Sequence, residues 1–168
     1  MRQYDAIEKQ IIKILKTIPK ESSRLKWSGA RPWTRQIKNK ICKLGKKDRY
    51  CYVCASGDNT DWEEWLYDVT WLKLDRNKSI RYSSLVLECE WGNAYEEIYN
   101  DFAKLLLARA QHRIMIFEGK SKDDILNIMR KLKKETTNFR DSTPKDRYLF
   151  AGYDNSRNTF EFDLFVLP

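Results

Sequence analysis

The chain lacks several signatures on which common chemistries depend. It has one histidine, His112, so a metal centre or a nuclease site built on several histidines is excluded. His112 precedes a short apolar stretch and reads as a satisfied structural residue. Neither GxxxxGK[ST] nor GxGxxG occurs, which removes the glycine-rich phosphate cradles of the common nucleotide-binding folds. There is no nucleophile elbow, no internal repeat and no low-complexity tract. Apolar runs are short, as at residues 105–108 and 114–117, far below the roughly 20 residues that span a bilayer. No membrane partner is therefore expected. The opening MRQYDAIEKQIIKILK is too charged for a signal peptide, so a cytoplasmic location is expected.

Four cysteines, Cys42, Cys51, Cys54 and Cys89, in a chain without an export signal read as reduced thiols. Cys51 and Cys54 have CxxC spacing, but they lie in a strand-like stretch, where positions three apart point to opposite faces. A zinc site needs four converging ligands, and buried small hydrophobes are the better account.

What is present suits one folded domain over residues 1–168, with 42% hydrophobic and 13% aromatic residues. Charge is uneven along it. Residues 20–49 hold eleven Lys/Arg against two acids, whereas residues 58–101 hold eleven acids against four bases. A basic arm beside an acidic block fits a phosphate-binding surface next to a metal-binding carboxylate cluster, and it equally fits two solvated faces of opposite sign.

Periodicity gives an order of elements. Apolar residues at helical spacing predict a helix over 4–18 that stops at Pro19, a polar loop over 20–32, and a second helix over 33–47. Strands are predicted over 50–55, 65–74 and 84–91, separated by turn-rich segments. Asn93 to Glu96 resembles a capping box opening a long helix to about Ala110. A buried strand at 113–117, a helix capped by Ser121, and strands at 147–153 and 159–167 complete the chain. Three consecutive strands imply an antiparallel meander, and the strand–helix–strand unit adds a parallel neighbour. The expected fold is α/β (α+β), a mixed central sheet flanked by helices.

Three carboxylates carry the chemistry. Asp68 sits among apolar and aromatic residues of the second predicted strand, where an acid is costly unless paired or bound to a cation. Glu88 and Glu90 lie two residues apart in the third, on one face, where they raise each other's pKa unless a cation intervenes. Mg2+ favours such carboxylate oxygens. In the following helix Glu97, Asp101 and Lys104 share a face, so Lys104 is either a site lysine or half of a surface pair with Asp101.

At Asp68, Glu88 and the stretch LVLECEWGN…IYNDFAKLLLARAQHRIMIF, the sequence resembles the PD-(D/E)XK (restriction-endonuclease-like) nuclease superfamily, in a bacterial branch whose metal strand runs into a long helix. The resemblance covers roughly residues 4–117 and implies an αβββαβ core with C-terminal additions. It implies metal-dependent hydrolysis of nucleic acid, most simply by a DNA endonuclease, with Mg2+ (or Mn2+) held by Asp68, Glu88 and the backbone carbonyl of Cys89. Glu90 stands where the family usually has lysine; some relatives carry an acid there and others move the lysine to the next helix, a place Lys104 fits. Lys104 or Glu90 would then position the attacking water. Should neither apply, the alternative is a catalytically inactive module that binds nucleic acid or protein. Some relatives use an acid in the first helix, as Glu8 would be; a solvated helix face is the other reading.

Arg24, Lys26, Trp27, Arg31, Trp33, Arg35 and Lys38 interleave rings with cations, a pattern that stacks bases and neutralises phosphates, and that equally covers a core with snorkelling side chains. Cutting both strands of a duplex would call for a homodimer.

Overall fold

The computed structural model describes residues 3–92 and 94–168. Helix α1 (Ala6–Leu15) opens on a reciprocal cap: Asp5 accepts from the Glu8 N–H and Glu8 accepts from the Asp5 N–H, each at 3.0 Å. The apolar stripe predicted to run to residue 18 breaks after Leu15. Pro19 does not end that helix; it occupies the first turn of a new one, α2 (Ile18–Leu25), where its missing N–H has no partner to lose. The segment expected as a loop over 20–32 thus holds α2 and the start of α3 (Ala30–Gly45).

Strands β1 (Cys51–Ala55), β2 (Val69–Leu74) and β3 (Ile80–Glu90) form the meander. Helix α4 (Tyr95–Leu107) crosses to β4 (Ala110–Gly119), parallel to β3. Helix α5 (Lys122–Asn138) crosses to β5 (Arg147–Asp154), parallel to β4, and β6 (Thr159–Val166) turns back antiparallel. The result is an α+β fold with one six-stranded mixed open sheet whose spatial order follows the chain, flanked by helices. The expected cap residue Asn93 lies outside the described residues; α4 starts from Ala94. No helix is long and apolar enough to cross a membrane among the described residues.

Alternation along β3 divides its side chains between two cores. Leu85, Leu87 and Cys89 join Ile11, Leu15, Ile37 and Ile41 beneath α1–α3. Val86 joins Phe102, Leu105, Phe117 and Phe150 beneath α4 and α5. Glu88 and Glu90 follow Val86 on that second face, at positions where the pattern would otherwise place apolar residues. Cys51 and Cys54 fall on opposite faces of β1, and all four cysteines are free and buried. Gly45 ends α3 tight against the sheet: a Cβ there would stand 2.7 Å from the Trp71 ring and 2.9 Å from Val53.

Ser121 caps α5 by accepting from the Asp124 N–H at 3.3 Å. Ser121→Ala is expected to cost about 1 kcal/mol, read as a lower urea midpoint at unchanged slope.

Candidate metal and carboxylate site

Asp68 lies one residue before β2 rather than inside it. Because Val69 pairs with Leu87, the next antiparallel step sets Asp68 across from Glu88. Asp68 Oδ2 accepts from the Cys89 backbone N–H at 2.9 Å. In an extended strand a residue's N–H and C=O point to the same side, so the Cys89 carbonyl also faces the gap beside Asp68. Lys38 of α3 donates to Asp68 Oδ1 at 3.2 Å and to Glu64.

Glu88 is 3% exposed. Lys104 Nζ from α4 stands 3.3 Å from Glu88 Oε1 and 2.7 Å from Asp101 Oδ1. The approach to Glu88 is an ion pair outside hydrogen-bonding geometry, and Oε1 is a buried oxygen without a hydrogen-bond donor. Burial first, then the Asp68 charge, push the Glu88 carboxyl up to about 8 despite Lys104. Burial also lifts Asp68 above the usual carboxylate range, against the pull of Lys38. For Lys104 burial pulls the other way, and Asp101 and Glu88 outweigh it, taking the amine to about 12.

Glu90 turns away from this pair. Its Oε1 accepts from the Gly92 N–H at 2.6 Å, and it shares a hydrogen bond with Asp101. Burial first, and then the facing Asp101, raise the Glu90 pKa above its ordinary value. Asp68, Glu88 and Glu90 therefore do not close as one trio. Two positions along a strand separate backbones by about 7 Å, and the Gly92 N–H gives Glu90 a local partner. Among the described residues the only trio of acid, histidine or cysteine ligand atoms all within 4.8 Å is Asp5, Glu8 and His112.

That trio is already compensated. Arg147 donates to Glu8 Oε1 at 2.8 Å and Oε2 at 2.7 Å, and His112 Nδ1 lies 3.4 Å from Glu8 Oε1. Burial alone would raise the Glu8 pKa; His112, Arg147 and the Asp5 N–H bring it down to about 2. Glu8 is 1% exposed, so it is no solvated helix residue. It packs on the α1 face near the start of β4, whereas Glu88 faces α4 near the end of β3. It therefore does not join the Glu88 site.

Around Asp68 and Glu88 acids outnumber bases among the described residues, although no three of them converge as ligands. Five acids, Glu64, Asp68, Glu88, Glu90 and Asp101, meet only two amines, Lys38 and Lys104. The buried Glu88 Oε1 has only the Lys104 ammonium at 3.3 Å, and burial first, then the neighbouring acids, raise the Glu88 and Glu90 pKa values. All-oxygen donors suit Mg2+ or Mn2+.

The residues read as a nucleic-acid patch divide in two. Arg24, Lys26, Arg31 and Arg35 are exposed. Trp27 and Trp33 are half-buried and meet edge to face at 6.2 Å, with Trp33 4.6 Å from Tyr153 and 5.6 Å from Trp91. These rings close the end of the sheet. Lys38 leaves the patch altogether: at 5% exposure it points inward to Asp68, because acids there outnumber their cations. Its place in a basic run hid that role. The signal was the lone buried-strand acid that needed a partner.

No family model matches the chain, and no curated protein or solved structure matches it.

Proposed function

We propose that this chain is a metal-dependent phosphodiester hydrolase acting on nucleic acid, in the simplest case a DNA endonuclease with a restriction-endonuclease-like αβββαβ core. The observation that carries the reading is Glu88: a carboxylate 3% exposed, set across from Asp68, with the Lys104 ammonium 3.3 Å from its Oε1. The order α3, three-strand meander, α4, parallel β4 supports the core, with α5, β5 and β6 as additions.

Asp68, Glu88 and the Cys89 carbonyl would hold Mg2+ or Mn2+, which when bound supplies positive charge that acidifies water and offsets the scissile phosphate. Lys104 stands in for the lysine that Glu90 replaces: its ammonium, kept charged by Asp101, can orient water and stabilise charge on the phosphoryl oxygens. Lys38 fixes Asp68, and the exposed Arg24, Lys26, Arg31 and Arg35 are available to phosphates.

One observation favours a second reading, a nuclease-fold module without catalysis. Lys38 and Lys104 already sit on the two principal acids, so the pair is partly neutralised without metal.

Supercoiled plasmid incubated with the protein and Mg2+ or Mn2+ separates the two. Nicking that falls at least about 100-fold in Asp68→Asn is expected, since even residues that merely support metal ligands cost 10–100-fold. Salt-sensitive binding with no nicking in either metal would replace the hydrolase by the module.

A further inference from the structure

A basic surface lies on the helical layer away from Glu88, and apart from Arg24 the proposed hydrolysis makes no use of it. Between Gln3 and Lys47 the chain has thirteen Lys/Arg against three Asp/Glu; one of the acids, Glu8, is buried against Arg147, and one of the bases, Lys38, is buried against Asp68. The excess is ordered. Lys9, Lys13, Lys16, Lys20 and Arg24 recur at three- and four-residue intervals, so their helical phase continues across the break between α1 and α2. They line one open hollow of about 750 Å³ with Glu21 as its only acid. Lys13 and Thr17 also line a second hollow, of about 650 Å³, between α1 and α3, to which Lys40, Lys43 and Lys47 contribute.

Glu21 is engaged by Lys40 and Gln36, so it offsets little of this charge. Among the described residues, no carboxylate lies within ion-pair distance of Lys9, Lys13, Lys16, Lys20 or Arg24. An ordinary solvated face intersperses both signs and pairs them at i, i+4. This one leaves an exposed row of four ammoniums and a guanidinium along α1 and α2 without paired acids.

The geometry points to this α1–α2–α3 face as a docking surface for the phosphate backbone of double-stranded nucleic acid. No aromatic residue lines either hollow, and the Phe162 ring beside the first is already faced by Lys16 Nζ at 5.9 Å, so recognition falls to phosphates. A lipid surface would call for large apolar side chains projecting among the cations. Neither hollow offers any aromatic, and their apolar members Ile12, Ile14 and Leu44 are only part-exposed. The assignment is independent of the carboxylate site: binding in EDTA reads it, whereas nicking reads the other.

The test is fluorescence anisotropy with labelled 20-base-pair DNA and RNA duplexes in EDTA at 50–200 mM salt. For about five neutralised phosphates, log K should fall with log[salt] at a slope near −4.5, a loss of about 10²–10³ over that range. The variant K9Q/K13Q/K16Q/K20Q should flatten the slope to near −1. A control with the same charge change elsewhere, K78Q/K120Q/K134Q/K145Q, should keep the wild-type slope. Single Lys13→Gln and Lys20→Gln substitutions, each removing about 0.9 from the slope, carry the test should the quadruple variant fold poorly. Equal loss in the control overturns the assignment, leaving net charge as the cause. So does tighter binding to single strands, or to phosphatidylserine-containing vesicles, than to either duplex.

Discussion

Glu88→Gln is expected to raise the thermal stability of the metal-free protein above pH 8 and to abolish its response to Mg2+ or Mn2+. In the folded chain burial and the Asp68 charge move the Glu88 carboxyl to about 8, from an ordinary value of 4.5. A raised acid binds its proton more tightly folded than unfolded. Its contribution is therefore fully present below pH 4.5, and it is lost as pH rises through about 8. At about 1.4 kcal/mol per unit, the loss amounts to roughly 2–4 kcal/mol once relaxation and water entry are allowed for. Melting of wild type from pH 5.5 to 9 should show that decline, and the glutamine variant should be flatter, because an amide has no proton to lose. Divalent metal requires the deprotonated carboxylate, so its affinity in wild type should increase up to about tenfold per pH unit between 6 and 8 and release a proton. Identical pH–stability curves for the two proteins would remove the buried charge from the site.

Arg147→Met should be the most destabilising single change outside the apolar core, at about 3–5 kcal/mol by urea unfolding. It leaves Glu8, 1% exposed, without the guanidinium that contacts both its oxygens. The double variant Glu8→Gln/Arg147→Met should recover part of the loss, since it buries no orphaned charge. The pH dependence has the opposite sign to that of Glu88. Glu8 is held near 2, so its contribution is present above pH 4.5 and disappears as pH falls through about 2. Wild type should accordingly lose more stability than Arg147→Met between pH 5 and 2. A loss below about 1 kcal/mol in the single variant would place the ion pair among weak surface contacts.

The two sites differ in how far the sequence discloses them. Glu88 and Glu90 could be placed on one face because strand alternation is a local property, and Lys104 could be aimed at them because helix spacing is local too. The meander and parallel crossovers followed from element order in the same way. Pro19 misled at the first helix because a proline reads alike as a stop and as the opening turn of the next helix. Asp68 was set within a strand whose pairing in fact begins one residue later. Lys38 and Glu8 were out of reach for another reason. Their burial depends on partners 30 and 139 residues away, and no short-range pattern encodes such distances.

That longest link bears on how the molecule comes into being. The strands lie side by side in the order in which they are synthesised, so most pairing can proceed as the chain emerges. Helix α1 is the exception, for its clamp is Arg147 and its core includes Leu149 and Ala151 of β5. A nascent chain must therefore carry Ile11 and Leu15 without their complete floor until β5 has left the ribosome. Until then the apolar face of α1 is an aggregation hazard, and helper proteins that shield apolar helices would matter most over that interval.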